Sequence, residues 1–275
     1  RILECREIKK QMKQDYKLYK GKVVLNFDDS KHIYYVNKKV IYGVTSITGV
    51  IGKPGLIYWA ANKGAEAFQA NVKPGEVLDE VKIKDIANLI KTSHRQVKNA
   101  AADIGTLIHN WLSDFLKAGI AGKTLPKKPL NPEMKNAIES FLTWTRKNKV
   151  KFYESERKVY SRKYGYAGTC DAVAMVNGKP TIIDFKTGNA IYPEYFLQTV
   201  AYQAAFQEET KQKFSHNLIL RLSQENKEKD ILPFEVRETE NHKENFKAFL
   251  SCLQIYKWQQ ANRKAEILNN LNGLN

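Results

Sequence analysis

Cysteine, acidic side chains and long apolar runs are all scarce in this chain of 275 residues. Its three cysteines, Cys5, Cys170 and Cys252, lie far apart and form no CxxC pair. That excludes a disulfide framework and leaves too few thiolates for a four-cysteine zinc or iron-sulfur site, a pattern suited to a reducing compartment. No stretch reaches the roughly 18 apolar residues needed to span a bilayer, and the charged opening (Arg1, Glu4, Arg6, Glu7, Lys9, Lys10) holds no hydrophobic signal core. A membrane partner is therefore not expected. There is no GxxxxGK[ST] sequence, so no P-loop nucleotide site is expected, and no internal repeat or low-complexity tract argues for a solenoid. Acids are outnumbered: 29 Asp and Glu face 45 Lys and Arg, for a formal net charge of +16. A chain this basic attracts polyanions, and nucleic acid is the leading partner.

What the chain does have is 43% hydrophobic content, enough to bury a full core without disulfides or structural metal. Residues 1–22 are lysine-rich and polar and read as a basic arm with a helical tendency. Residues 23–130 open with β-rich stretches, Val23 to Phe27, His32 to Val36 and Lys39 to Tyr42, broken by turn residues as in a small antiparallel meander. Helical patterns follow Pro54, over Val81 to Ile90 and again over Val97 to Leu116, where Ile104, Ile108, Trp111 and Phe115 share one face. Residues 131–275 read as a helix from Asn131-Pro132 to about Lys147, then strands over Lys151 to Tyr160, Tyr166 to Val176 and Lys179 to Lys186. A helix from Pro193 to about Glu208, strands near Asn217 to Leu222 and Leu232 to Arg237, and a helix from Asn241 to about Arg263 complete the order. This succession predicts an α/β fold with a mixed central sheet flanked by helices, integrated with the region before it.

The chemistry centres on one hairpin. Asn177-Gly178 between two apolar runs is a type I′ turn signal, because both central positions need positive φ. With Val176 opposite Lys179, Val173 falls opposite Ile182 and Asp171 opposite Asp184. Such opposed Cβ atoms in a non-hydrogen-bonded pair stand about 4.5 to 5.5 Å apart. Lys186, two residues beyond Asp184, projects from the same face. Two like charges opposed among apolar neighbours destabilise a strand pair unless a cation joins them, and oxygen ligands suit Mg²⁺ or Mn²⁺.

The stretches Gly165-Tyr166-Ala167-Gly168-Thr169-Cys170-Asp171, Ile182-Ile183-Asp184-Phe185-Lys186-Thr187-Gly188 and Gln198-Thr199-Val200-Ala201-Tyr202 resemble the RecB-like branch of the PD-(D/E)XK nucleases. Gly105-Thr106-Leu107-Ile108-His109 is similar to that branch's histidine motif. The front half, with Ser46 and Trp59, resembles stand-alone phage and mitochondrial genome-maintenance exonucleases. This resemblance implies a restriction-endonuclease-like fold and a Mg²⁺- or Mn²⁺-dependent deoxyribonuclease using one or two ions and no nucleotide. It makes Asp171 and Asp184 metal-binding carboxylates, His109 a further ligand and the Phe185 backbone carbonyl another. Lys186 becomes the lysine that positions or activates the attacking water. Glu156, or Glu154 two residues away on the same strand face, is the acid that joins the site from the preceding strand. Gln198 and Tyr202, one helical turn apart, match the Gln-x-x-x-Tyr motif that braces the site and touches substrate. The chain departs from the pattern in having Thr169-Cys170 where the naming proline stands, and Asp rather than Glu before the lysine.

The resemblance further implies an exonuclease acting on DNA that is single-stranded or has single-stranded ends, with replication or recombination proteins as candidate partners. The setting expected is cytoplasmic, phage or bacterial, ahead of mitochondrial. Arg162, Lys163, Tyr164 and Tyr166, just before the Asp171 strand, are candidate substrate contacts that mix cations with stacking rings. Trp59 and Trp111 are either further stacking platforms or core. The rival functions are a structure-specific endonuclease, an RNA-directed nuclease and a catalytically silent nucleic-acid-binding module on the same fold.

Overall fold

The computed structural model describes residues 14–214, 216–222 and 234–272, with side chains described to residue 266. Four strands come first, β1 (Gln14–Leu18), β2 (Val23–Asp28), β3 (Ile33–Val36) and β4 (Lys39–Gly43), each antiparallel to the next. The meander read from the sequence is present and extends further towards the N-terminus. Within the arm expected to be helical, Gln14 to Leu18 form an edge strand instead, because Leu18 packs against Leu25, Phe27 and Tyr34. The rest of that arm, residues 1–13, lies outside the described residues.

Helices α1 (Val44–Thr48), α2 (Gly55–Asn71) and α3 (Glu80–Ile120) follow. Asp79 caps α3 by accepting from Lys82 N at 2.7 Å, and the helix then runs unbroken through the stretch where the sequence suggested a gap. Thr92 and Ser93, residue types that compete with helical hydrogen bonding, fall in that stretch. Here Thr92 Oγ1 donates back to Asn88 O at 2.8 Å and Ser93 Oγ to Ile90 O at 3.2 Å, so both hydroxyls are satisfied inside the helix. Helix α4 (Pro132–Lys147) starts as the sequence indicates, with Asn131 accepting from Met134 N and Pro132 in the first turn.

The second half supplies β5 (Val150–Ser161), β6 (Tyr166–Val176), β7 (Lys179–Lys186), α5 (Pro193–Thr210), β8 (His216–Leu222), β9 (Phe234–Glu238) and α6 (His242–Asn272). Asn177 and Gly178 take φ of 49° and 80°, as a type I′ turn needs, and the hairpin is in the register counted from the sequence, Val176 opposite Lys179 and Val173 opposite Ile182. Strand β8 lies parallel to β7 across the α5 connection. The result is an α/β fold in which, among the described residues, a mixed nine-stranded sheet is flanked by helices. Helices α3 and α4 bury Ile108, Leu112, Phe141 and Trp144 against Ala172, Ala174, Ile183 and Phe185 on one side. Helices α5 and α6 bury Ala201, Tyr202, Phe206 and Phe249 against Val159, Tyr166, Val173 and Ile182 on the other.

One topological detail positions everything below. On one edge, β6 pairs with β5. Its other edge is shared: Tyr166 and Ala167 pair in parallel with β4, whereas Ala172 to Val176 pair with β7. Between these two partners the segment Gly168–Asp171 sits in a fork where β4 and β7 diverge.

Candidate active site

The fork opens into a cleft of ≈ 990 Å³ lined by His109, Glu156, Lys158, Asp171, Asp184, Lys186, Gln198 and Tyr202 together with residues of β1 to β3. The paired ladder of β6 and β7 stops at Ala172 opposite Ile183, and Asp171 and Asp184 occupy the next step. Asp171 Oδ2 accepts from the Phe185 backbone N–H at 2.6 Å, so the carboxylate itself fastens the mouth of the hairpin. Burial, then the nearby Asp184 and Glu156 charges, hold the Asp171 carboxyl well above the usual carboxylate range.

Lys186 Nζ lies 2.6 Å from Asp184 Oδ2 and donates to Gln198 Oε1 at 3.1 Å, while its ammonium sits 4.5 Å from the centroid of the Tyr195 ring. Although burial opposes its charge, Asp184 and Asp171 raise the Lys186 pKa above the ordinary lysine value. Gln198 Nε2 passes the chain of contacts on to Thr48 Oγ1 at 3.2 Å, at the end of α1. Tyr202, buried at 4% exposure, packs over Gly168, where a Cβ would come within 2.6 Å of Tyr202 Cε1. Glycine is required there by the close approach of that ring. His109, from the middle of α3, brings Nδ1 to 3.9 Å from Asp171 Oδ1; burial, then Lys186, lowers its pKa.

Strand β5 completes an acid row. Ser155 pairs with Ala172 and Arg157 with Cys170, so Glu156 stands opposite Asp171, with a positive φ of 53° that is uncommon outside glycine. Of the two acids with equal strand parity, Glu156 is the one that lines the cleft. Glu154 is ion-paired with Arg157 at 3.2 Å.

Among the described residues, no three His, Cys, Asp or Glu side chains converge closely enough to hold a metal by themselves. Mg²⁺ does not require it, since that ion is commonly held by one or two carboxylates with water and substrate phosphate completing its shell. Asp171, half-buried, and Asp184, buried, stand side by side and fit that mode, and among the described residues the Asp184 carboxylate has only the Lys186 ammonium against its Oδ2.

Several residues singled out in the sequence are placed elsewhere. Arg162, Lys163 and Tyr164 lie in the turn after β5 and do not line the cleft. Tyr166 is fully buried, donates its hydroxyl to Ala201 O at 2.9 Å and packs edge-on against Phe249, so no base can stack on it. The Phe185 side chain points into the opposite core against Phe141, leaving only its backbone near the acids. Trp111 is core, with Nε1 donating to Lys127 O, and Trp59 is half-buried on α2 away from the cleft.

Sequence reasoning missed Lys158 and Tyr195. Lys158 is 6% exposed, with Nζ 4.6 Å from the Phe27 ring centroid and 3.8 Å from Glu156 Oε2. Burial pushes its pKa down. Its signal was strand parity, two residues from Glu156. Tyr195 precedes Gln198 by three residues and shares its helical face.

No protein-family model matches the chain, and no curated protein matches it. Among solved structures it is similar to LHK-Exo in complex with dAMP, at 9% identity and a TM-score of 0.39, over 60% of this chain and 86% of that one. A second structure, of the alkaline exonuclease LHK-Exo from Laribacter hongkongensis, matches at 13% identity and a TM-score of 0.32, over 58% and 85% of the two chains. The protein SSO0001 matches at 13% identity and a TM-score of 0.32, over 74% and 86%.

Proposed function

We propose that this protein is a divalent-metal-dependent deoxyribonuclease of the PD-(D/E)XK type, hydrolysing phosphodiester bonds in the cleft above Asp171 and Asp184. The observation that carries this reading is the juxtaposition of those two acids with Lys186 and Gln198 at one end of a large open cleft in a strongly basic protein. A binding module has no use for carboxylates facing a polyanion, since they repel it.

Asp171, Asp184 and the Phe185 carbonyl would hold Mg²⁺ or Mn²⁺, with His109 beside them, and the ion would neutralise charge developing on the phosphate. Lys186, ion-paired to Asp184 and fixed by Gln198, directs a cationic donor at the reacting phosphate or the attacking water. Gln198 and Tyr202 are positioning residues, tying that lysine to α1 and to the Gly168 segment. Water adds to phosphorus as the bond to the leaving oxygen breaks, and that oxygen departs as a hydroxyl carrying the proton. Tyr16 and Tyr195, half-buried at the cleft wall, put aromatic rings beside the site, and ring stacking is open only to unpaired bases, which supports single-stranded DNA as the preferred substrate; the requirement for an end rests on the resemblance alone.

The test is end-labelled linear single-stranded DNA, linear duplex, a closed single-stranded circle and RNA, each with Mg²⁺ or Mn²⁺ and with an EDTA control. Linear single strands should be degraded, the circle should survive and EDTA should abolish cleavage. Loss of the circle at the same rate would overturn the end requirement. Absence of cleavage with either metal, or full activity in Asp184→Ala, would overturn the nuclease reading.

A further inference from the structure

Five cations, Lys20, Lys22, Arg162, Lys163 and Lys211, line a second, shallower groove of ≈ 840 Å³ that shares no residue with the catalytic cleft. All five are exposed, and none forms an ion pair with an acid among the described residues. Two acids also lie in this groove, yet both are committed inward. Glu208 accepts from Ser161 Oγ at 2.6 Å, from Tyr19 Oη at 2.9 Å and from the backbone N–H groups of Arg162 and Lys163 at 2.9 and 3.1 Å. Glu209 receives the Tyr19 N–H at 3.2 Å and ion-pairs with Arg157 at 2.7 Å. Their negative charge therefore serves to fix the turn and β1, while the cations stay exposed, Lys211 Nζ donating to the Glu208 backbone carbonyl at 3.0 Å. The Arg162 guanidinium stacks over Tyr19 at 5.4 Å, and Lys163 Nζ sits over Tyr164 at 5.0 Å.

The groove lies along the same two strands that carry the cleft wall. Tyr16 and Lys158 line the cleft; Tyr19 and Arg162 line the groove, three and four residues further on, just past the ends of β1 and β5. At about 3.3 Å per strand residue, Lys158 and Arg162 stand roughly 13 Å apart, a reach that a few successive phosphates of one strand cover at about 3.4 Å each in duplex spacing.

We propose that this groove is an exosite for the phosphodiester backbone, holding nucleic acid that extends beyond the acids and keeping the chain on its substrate between cuts. The inference rests on the nuclease reading for its purpose, but not for its test, which is a binding measurement in EDTA. Phosphate contacts release counterions, so their number appears in the salt dependence of affinity, at about −0.7 in slope per contact for single strands.

The variant Lys20→Gln, Arg162→Gln, Lys163→Gln, Lys211→Gln removes four exposed charges. A control, Lys123→Gln, Lys135→Gln, Lys149→Gln, Lys243→Gln, removes four elsewhere on the surface. Fluorescence anisotropy with a labelled 30-residue single strand should show the first variant binding about tenfold or more weaker near 0.1 M salt, with the slope shallower by about 2 to 3. The control should change it far less. If the fourfold variant melts below the assay temperature, the double variant Lys20→Gln, Lys22→Gln replaces it and, with two charges removed, should make the slope shallower by about 1.4. Equal losses in the patch and control variants would reduce the effect to net charge and overturn the exosite. So would unchanged DNA affinity alongside lost binding to phosphatidylserine vesicles, which would make the surface a lipid contact. A wild-type protein that binds through this patch and cuts nothing would sink the nuclease reading and leave the exosite standing.

Discussion

Replacing Gly168 by alanine tests whether the acid row is set by close packing in the fork. The new Cβ would lie 2.6 Å from Tyr202 Cε1, 3.0 Å from Cδ1 and 3.1 Å from Val44 Cγ2. Carbon atoms settle at about 3.5 to 4.0 Å, so the ring must retreat by about 1 Å. It has nowhere to go: Tyr202 is 4% exposed and Val44 1%. Overpacking of this kind costs about 1–3 kcal/mol, against which alanine recovers about 0.5–1 kcal/mol over glycine in a strand. A net loss of about 1–2 kcal/mol lowers the Tm of a protein this large by roughly 2–8 °C. Gly105→Ala is the internal comparison, because the one atom it meets is Thr187 Oγ1 at 2.9 Å, the end of a side chain that can rotate. There the gain from removing a glycine inside α3, about 1 kcal/mol, offsets the contact. Thermal unfolding by circular dichroism in EDTA should therefore show Gly168→Ala falling and Gly105→Ala near wild type. If Gly168→Ala melts at or above wild type, the packing account of the fork is wrong. Because Tyr202 and Gln198 share one helical face, the displaced ring should also depress cleavage in Gly168→Ala.

Asp171→Asn removes one of two facing charges yet keeps an oxygen for the Phe185 N–H, so the metal-free protein should melt at or above wild type while cleavage is lost; a drop of several degrees would show that the pair is not repulsive. Gln198→Ala unties Lys186 from Thr48 and should lower kcat by about ten- to a hundredfold with KM near wild type, and a change confined to KM would make Gln198 a substrate contact instead. Lys158→Met keeps the volume but deletes a buried cation from the cleft wall, so KM for DNA should rise severalfold with kcat little changed, and an unaltered KM would return Lys158 to a purely structural role.

The sequence was most informative where local rules decide. Asn177-Gly178 set the turn, the turn set the register, and the register put Asp171 beside Asp184. Strand parity then brought Lys186 to the same face, and helical spacing aligned Gln198 with Tyr202. What stayed hidden depends on contacts remote in sequence. Lys158 is buried only because Phe27 and Tyr16 of the meander close over it, and nothing in residues 150–161 announces that. Tyr166 sits among the motif residues, but α6 covers it, and the backbone N–H groups of Arg162 and Lys163 beside it are held by Glu208 on α5. Proximity to Asp171 along the chain therefore does not bring residues 162–166 into the cleft. Parity likewise could not separate Glu154 from Glu156; of the two, Glu156 lines the cleft, at a backbone kink, while Glu154 is ion-paired with Arg157.

The divided edge of β6 also bears on how the protein assembles. The hairpins β5–β6 and β6–β7 are local and can form as soon as their residues meet, aligning Glu156, Asp171 and Asp184 early. The contact of Tyr42 with Tyr166 instead closes a loop of nearly half the chain, and such non-local pairings come late because their closure entropy must be met before they contribute. Until β4 docks, the acids are present without Tyr16, Phe27 or Thr48 around them. The row of carboxylates thus precedes its enclosure, and a half-folded chain carries the acids without the walls that would hold a strand against them.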